Sequence, residues 1–237
     1  MKNQTDITIL LDRSGSMETI RKDMEGAFNS FLQEQKRLGG DMRLTLYTFD
    51  NVLTKIYDSL PIAEVPALVI SPRGGTALLD SMAQVVDEVG YKFASKPEYD
   101  RPSRVVFVTI TDGEENQSRR FSLQDVKTRI QHQTNNYNWQ FVYLGANQDA
   151  FATGASMGYN YASSMTYTAD SASIGAMTKS LSRSIGNYHT GLCCAVSFDK
   201  DDYAQQFTTM PSTSGLGVTI GNTSNVKSAV FIDKEDE

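Results

Sequence analysis

The sequence predicts an α/β protein: a mostly parallel central sheet with one antiparallel edge strand and helices on both faces. Three observations carry this. Residues 7–11, 104–111 and 139–144 are short apolar runs of the kind expected of strands buried on both faces. Between such runs lie stretches with apolar residues at helical spacing, such as Ile20, Met24, Ala27, Phe28, Phe31 and Leu32. Strands and helices alternate along the chain, which implies βα units. The chain has 237 residues, 40% of them hydrophobic, enough for one sizeable domain and an appendage.

The first strand is expected over residues 5–11 and the first helix over 17–38, closed by Gly39-Gly40. In 42–49, Met42, Leu44 and Leu46 alternate with polar residues, and Asp50-Asn51 reads as a hairpin-like turn into a returning strand at 52–57. That pair predicts the antiparallel edge. An irregular stretch, 60–72, leads to Arg73-Gly74-Gly75-Thr76 and a second helix through Leu78, Leu79, Met82, Val85, Val86 and Val89. Residues 91–102 read as a loop, and 104–111 as the strongest strand, ending at Thr111-Asp112-Gly113-Glu114-Glu115-Asn116. A shorter helix through Leu123, Val126 and Ile130 precedes the buried strand at 139–144. A short helix over 149–157, a weak strand within 159–167 and a final helix over 168–185 complete the domain, placed at 5–187. Beyond it the pattern fades, and 188–237 reads as a polar C-terminal appendage, partly extended, with apolar runs at 192–198 and 230–232 and a charged end.

The net charge of −6 argues against nucleic acid as the main partner. Met1-Lys2-Asn3-Gln4-Thr5-Asp6 has no apolar signal core, and no apolar run is long enough to span a bilayer, so a cytoplasmic protein without membrane contact is expected. Cys193 and Cys194 are adjacent, which disfavours a disulfide and fits no metal knuckle. They read as buried small apolar residues. His132 and His189 sit in no ligand-spaced cluster and read as surface residues.

Three stretches carry candidate chemistry: Asp12-Arg13-Ser14-Gly15-Ser16 after the first strand, Thr76 after two glycines, and Asp112-Gly113 after the strongest strand. Each lies at a strand end or just before a helix. In an open α/β sheet, such ends line the ligand crevice. Carboxylate and hydroxyl oxygens without sulfur or imidazole suit a hard cation, magnesium above all. Taken singly, each stretch has a plainer reading. Ser14, Ser16 or Thr76 would cap a helix, and Asp12 and Asp112 would sit in turns. Glu114 and Glu115 read as solvated acids at a helix start.

Taken together, the three stretches resemble the von Willebrand factor A (vWA) domain family, whose signature is Asp-x-Ser-x-Ser, then a distant Thr, then a distant Asp. The resemblance runs from about residue 5 to 187. The strings from Arg73 to Leu78 and from Thr111 to Asn116 look most like compact bacterial and phage members. The family is Rossmann-like, and its signature forms a metal-ion-dependent adhesion site (MIDAS). The resemblance implies that Ser14 and Ser16 ligate magnesium directly, with manganese or calcium as alternatives. It implies that Thr76 binds directly or through water according to state, and that Asp12 and Asp112 act mostly through water. The family's sheet order would put Asp12 and Asp112 side by side where the strand order reverses. A dication so weakly neutralised keeps an open position, which a partner's Asp or Glu would fill. The implied function is magnesium-dependent protein binding without catalysis. In family members, affinity changes when the threonine-side ligand and the final helix move, which here are Thr76 and residues 168–185.

Other classes fit less well. An assembly component docking through its C-terminal tail is the main alternative. A magnesium-dependent phosphohydrolase of the haloacid-dehalogenase kind needs Asp-x-Asp, and Ser14 occupies the second position. Gly154-Ala155-Ser156-Met157-Gly158 matches the nucleophile-elbow string, followed by Asp170 and His189 in hydrolase order, but no strand directly precedes the serine. Small residues there are expected to permit close helix packing.

Overall fold

The computed structural model describes residues 2–208. Six strands form one sheet: β1 (Lys2–Asp12), β2 (Met42–Phe49), β3 (Leu53–Pro61), β4 (Pro102–Thr111), β5 (Gln140–Ala146) and β6 (Ser164–Tyr167), in the order β3-β2-β1-β4-β5-β6. All neighbours run parallel except β2 and β3, the expected antiparallel edge. The helices are α1 (Arg21–Leu38), α2 (Leu78–Ala94), α3 (Leu123–Tyr137), α4 (Ala150–Met157), α5 (Ser171–Thr190) and α6 (Lys200–Thr208). None of them is long and apolar enough to cross a membrane.

The period-two alternation of the strands divides the core into two layers. Ile7, Ile9 and Leu11 of β1 face α1 and α5, meeting Phe28, Phe31, Ile174, Met177 and Leu181. Leu10, Phe107, Phe141 and Tyr143 face α2 and α3, meeting Met82, Val86 and Ile130. With both faces covered, β1 and β4 need unbroken apolar runs, which is what their sequences contain.

Several elements depart from the sequence reading. The first helix opens with a 3-10 turn, Gly15–Ile20, before becoming α-helical. The second helix runs on to Ala94, into the start of the stretch expected to be a loop from Tyr91, because Phe93 is buried edge-on against Trp139. Only Ser164–Tyr167 of the stretch at 159–167 is strand. The fading of the pattern after Asn187 does not mark the end of packing. α5 runs to Thr190, Val196 and Phe198 are buried in the core, and Phe198 N–H donates to the Ala162 carbonyl. α6 is held to α5 by Arg183, which pairs with Asp199 at 3.0 Å and also with the buried Asp202. Cys193 and Cys194 are exposed, not buried as expected, since they occupy the turn just after α5. The run at 230–232 and the charged residues after it lie outside the described residues.

Polar side chains also stabilise the β3 edge. Ser59 adopts a left-handed backbone conformation (φ 51°) beside a register shift between β2 and β3. Its N–H donates to Thr45 Oγ1, and its hydroxyl donates to Asp6 Oδ2. Asp6 is otherwise buried, and its Oδ1 has no partner among the described residues. Burial pushes its carboxyl up to about 6, despite the opposing charges of Lys92, Lys96 and Arg43. A raised carboxyl pKa means that the folded state holds its proton to higher pH than the unfolded state. Stability therefore falls as pH rises from about 4 to about 6. Asp6→Asn removes the buried charge and is expected to add about 2 kcal/mol at neutral pH and nothing near pH 4. Urea denaturation at both pH values measures this, and a loss of stability at neutral pH would contradict it.

Candidate metal centre

β1 lies in the middle of the sheet, and the chain reverses its direction of travel there. From β1 it moves outward through β2 and β3, then returns to lay β4 on the other side. Leu11 pairs with Ile110, so Asp12, the last residue of β1, and Asp112, the first beyond β4, leave neighbouring strand ends together. This is the topological switch point of a doubly wound sheet, where the diverging loops open a crevice.

The structure brings all five candidate side chains to that crevice. Asp12 is fully buried, with Oδ1 accepting from Ser14 N–H (2.6 Å) and Oδ2 from Thr111 Oγ1 (2.6 Å). Ser14 Oγ lies 3.0 Å from Ser16 Oγ, and Ser16 Oγ donates to Asp112 Oδ1 at 2.8 Å. Gly113 locates the third loop. A Cβ there would sit 3.1 Å from Thr76 Oγ1, 3.7 Å from Ser16 Oγ and 3.9 Å from Asp12 Oδ2. Oxygens from the loop after β1 and the loop before α2 thus border a small cradle at Gly113, and Ser16 ties in Asp112 from the third loop.

The hydroxyls are not spent on capping helices. Ser14 precedes the 3-10 turn without a side-chain cap bond. The cap position of α2 is Ala77, not Thr76, and Thr76 Oγ1 makes no hydrogen bond among the described residues. The orphan N–H groups of α2 are satisfied from the loop after β4 instead. Leu79 N–H donates to Glu115 Oε2 and Asp80 N–H to Ser118 Oγ. Glu115 also accepts from the N–H groups of Gln117 and Ser118 and from Ser118 Oγ. It is a structural clamp, not the solvated acid the sequence suggested.

The Thr76 loop is stitched in by its backbone. Gly15 N–H donates to Gly74 O (3.1 Å), and Arg73 N–H to Arg13 O (2.8 Å). Gly75 N–H donates to Asn51 Oδ1, and Thr76 N–H to Asn116 Oδ1. Gly74 has φ +69°, and a Cβ on Gly75 would meet Gln117 Cγ at 2.6 Å, so the glycine pair is what lets the loop approach. Beneath it, the buried Asp50 pairs with Arg13 Nε (3.0 Å) and Arg73 Nε (2.8 Å). Burial alone would raise the Asp50 carboxyl, but Arg73, the Val52 N–H and Arg13 hold it below the ordinary range.

Thr111, Asn51, Asn116, Asp50 and Glu115 are the supports that sequence reasoning did not assign. Their only signal is position, since each is a polar residue at a strand end or in the loop beyond it. Among the described residues no three His, Cys, Asp or Glu side chains gather as metal ligands, so a cation site here relies on hydroxyls. The donors fit a hard dication: three hydroxyls, one without a partner, and two carboxylates. Burial pushes the Asp12 carboxyl up to about 6 and raises that of Asp112, so a proton competes with any cation.

The other candidate chemistry does not assemble. Ser156 lies within α4, exposed, its hydroxyl donating to Thr153 O. A Cβ on Gly154 would meet Ser164 Oγ at 2.8 Å, so the small residues serve packing of α4 on the sheet. His132 is exposed, whereas His189 is half-buried with Nδ1 2.8 Å from Thr5 Oγ1.

The fold is of the von Willebrand factor A type. The mussel byssus proximal thread matrix protein 1 superposes with a TM-score of 0.56 at 14% identity, over 76% of this chain and 45% of that one. A form of that protein with a zinc-occupied MIDAS motif gives 0.53 at 15% identity, over 77% and 46%. A von Willebrand factor type A protein from Catenulispora acidiphila gives 0.51 at 15% identity, over 76% and 42%. The chain spans less than half the length of these neighbours. No family model matches the sequence. No curated protein matches it either.

Because Glu115 joins the loop after β4 to the start of α2, Glu115→Ala leaves the Leu79 and Ser118 N–H groups unpaired and Gln117 N–H with only the Thr76 carbonyl. The expected loss is about 2 kcal/mol, measured by urea denaturation. A loss below about 0.5 kcal/mol would show that the clamp is not needed.

Proposed function

We propose that this protein is a non-enzymatic protein-binding module. In this reading Asp12, Ser14, Ser16, Thr76 and Asp112 hold one divalent cation, magnesium by preference, that captures an acidic side chain of a partner. The observation that supports this most is the convergence of the three loops on the Gly113 cradle, with Thr76 Oγ1 left without a partner. Ser14 and Ser16 are the direct ligands, and Thr76 is the one that can be gained or lost. Asp12 and Asp112 supply charge, Asp12 oriented by Thr111 and Asp112 by Ser16. Bound there, the cation supplies an electrophilic position for an incoming carboxylate. Among the described residues only Asp12 and Asp112 bring carboxylates to the cradle, so the dication would keep its appetite for a third. The zinc-occupied site of the structural neighbour is consistent with a divalent ion in this position of the fold.

Binding of the cation stabilises the folded state by RT ln(1 + [L]/Kd), about 2.7 kcal/mol at a hundredfold excess over Kd. Magnesium or manganese should therefore raise the melting temperature of the wild type and not of Asp112→Ala. An equal shift in both would contradict the assignment. The pH dependence has a definite sign. With a carboxyl pKa raised to about 6, the metal-free fold loses stability as pH rises through that value, while the cation binds only the ionised form. The metal-induced shift should thus be larger near pH 7.5 than near pH 5. The reverse order would rule out Asp12 as a contributor.

Partner capture tests the rest of the reading. Partners recovered from the protein's host in magnesium should be lost with chelator and with Asp112→Ala. Equal recovery in all three conditions would overturn metal-mediated binding.

A further inference from the structure

Beside the Thr76 loop lies a groove of about 430 Å³, walled by Asn51, Ala77, Asp80, Gln84, Arg119 and Arg120. It adjoins the loop that carries Thr76. Ala77 directly follows Thr76, and Asn51 and Gln117, which both line the groove, touch Gly75. The groove is of a size that admits a side chain.

Its charge is set by how its residues are tied. Among the described residues Asp80 is the only acid in the wall, and its carboxylate is already engaged. Oδ2 accepts from Arg119 N–H, and Oδ1 accepts from the N–H groups of Arg120 and Phe121. Burial alone would raise the Asp80 carboxyl, but these bonds and the charge of Arg120 hold it below its ordinary range. Arg120 spans the groove, with Nη2 donating to Gln84 Oε1 at 2.8 Å and its guanidinium over the Phe121 ring. Its Nε lies 3.8 Å from Asp80, too long for a hydrogen bond. The Arg119 side chain is exposed and has no partner among the described residues. Two guanidinium groups thus face one committed carboxylate, in a chain whose net charge is −6.

We propose that this groove is a second acid-binding subsite: a partner that presents one carboxylate to the cation places another acidic side chain, a few residues away, against Arg119 and Arg120. The proposal rests on the metal-mediated reading for the first carboxylate and adds the class of partner, an acidic segment and not an isolated Asp or Glu. Guanidinium forks suit carboxylates, and the negative charge elsewhere on the chain disfavours the same segment at other surfaces. Residues in an extended peptide advance about 3.3 Å each, so acids two and four positions from the metal-bound one sample about 7 and 13 Å along a groove whose lining includes Ala77, the residue after Thr76.

The probes are two fluorescein-labelled glycine-serine peptides, one with a single Glu and one with further Glu residues two and four positions on. Polarisation in magnesium should show the added acids improving affinity about fivefold, with the gain shrinking as salt is raised. Arg119→Gln, which removes a side chain without partners, should abolish most of the gain. It should leave the single-Glu peptide and the metal-induced thermal shift unchanged. Arg120→Gln should act in the same direction. Equal affinity of the two peptides for the wild type, or a gain that survives both substitutions, overturns the subsite. The metal reading fails separately. In that case single-Glu binding is unchanged by chelator, while the arginine-dependent gain persists. Absence of binding by either peptide overturns both.

Discussion

The structure depends on the reversal of strand order at β1. Two neighbouring parallel strands end at the same level, and the chain leaves them in opposite directions, so Asp12 and Asp112 are delivered to one crevice. A carboxylate pair placed there is costly in isolation. Burial pushes both groups toward protonation, and hydrogen bonds, among them those from Ser14, Ser16 and Thr111, offset it in part. The hydrophobic layers on either side of β1 and β4 bury both strands and hold their ends side by side.

The second requirement is that the hydroxyls stay available. Ser and Thr beside helix starts ordinarily spend their oxygens on capping. Here Glu115 and Ser118 cap α2 from another loop, and Asp50 and Asn51 pin the glycine turn that carries Thr76. The loops at 73–76 and 113–121 therefore support each other. Asn116 holds the Thr76 backbone, and Asp80 on α2 holds the backbone of residues 119–121. This mutual support also fixes the arginines of the neighbouring groove.

The sheet, its antiparallel edge and both helical layers were legible in the sequence because the relevant signals are local. Residues 104–111 are apolar almost throughout, and Met24, Phe28, Phe31 and Leu32 repeat at helical spacing. The five candidate site residues were legible through spacing and through resemblance to a family. What was not legible depends on contacts between distant segments. Glu115 looks like any acid near a helix start, and its role appears only once Leu79 is placed beside it. The burial of Phe93 against Trp139 extends a helix through residues too polar to predict it. The packing of Val196 and Phe198 follows a stretch with no periodicity, so the appendage expected from Tyr188 onward is in its described part a continuation of the core. The exposure of Cys193 and Cys194 likewise follows from where α5 stops, not from the residue type.

The account requires one cation among Asp12, Ser14, Ser16, Thr76 and Asp112. Anomalous diffraction from crystals soaked in manganese locates such an ion without reference to any activity. A single anomalous peak between the two serine hydroxyls, beside Asp112 and Thr76, is the predicted result. A crevice without a peak at saturating manganese, or a peak at other residues only, would contradict it.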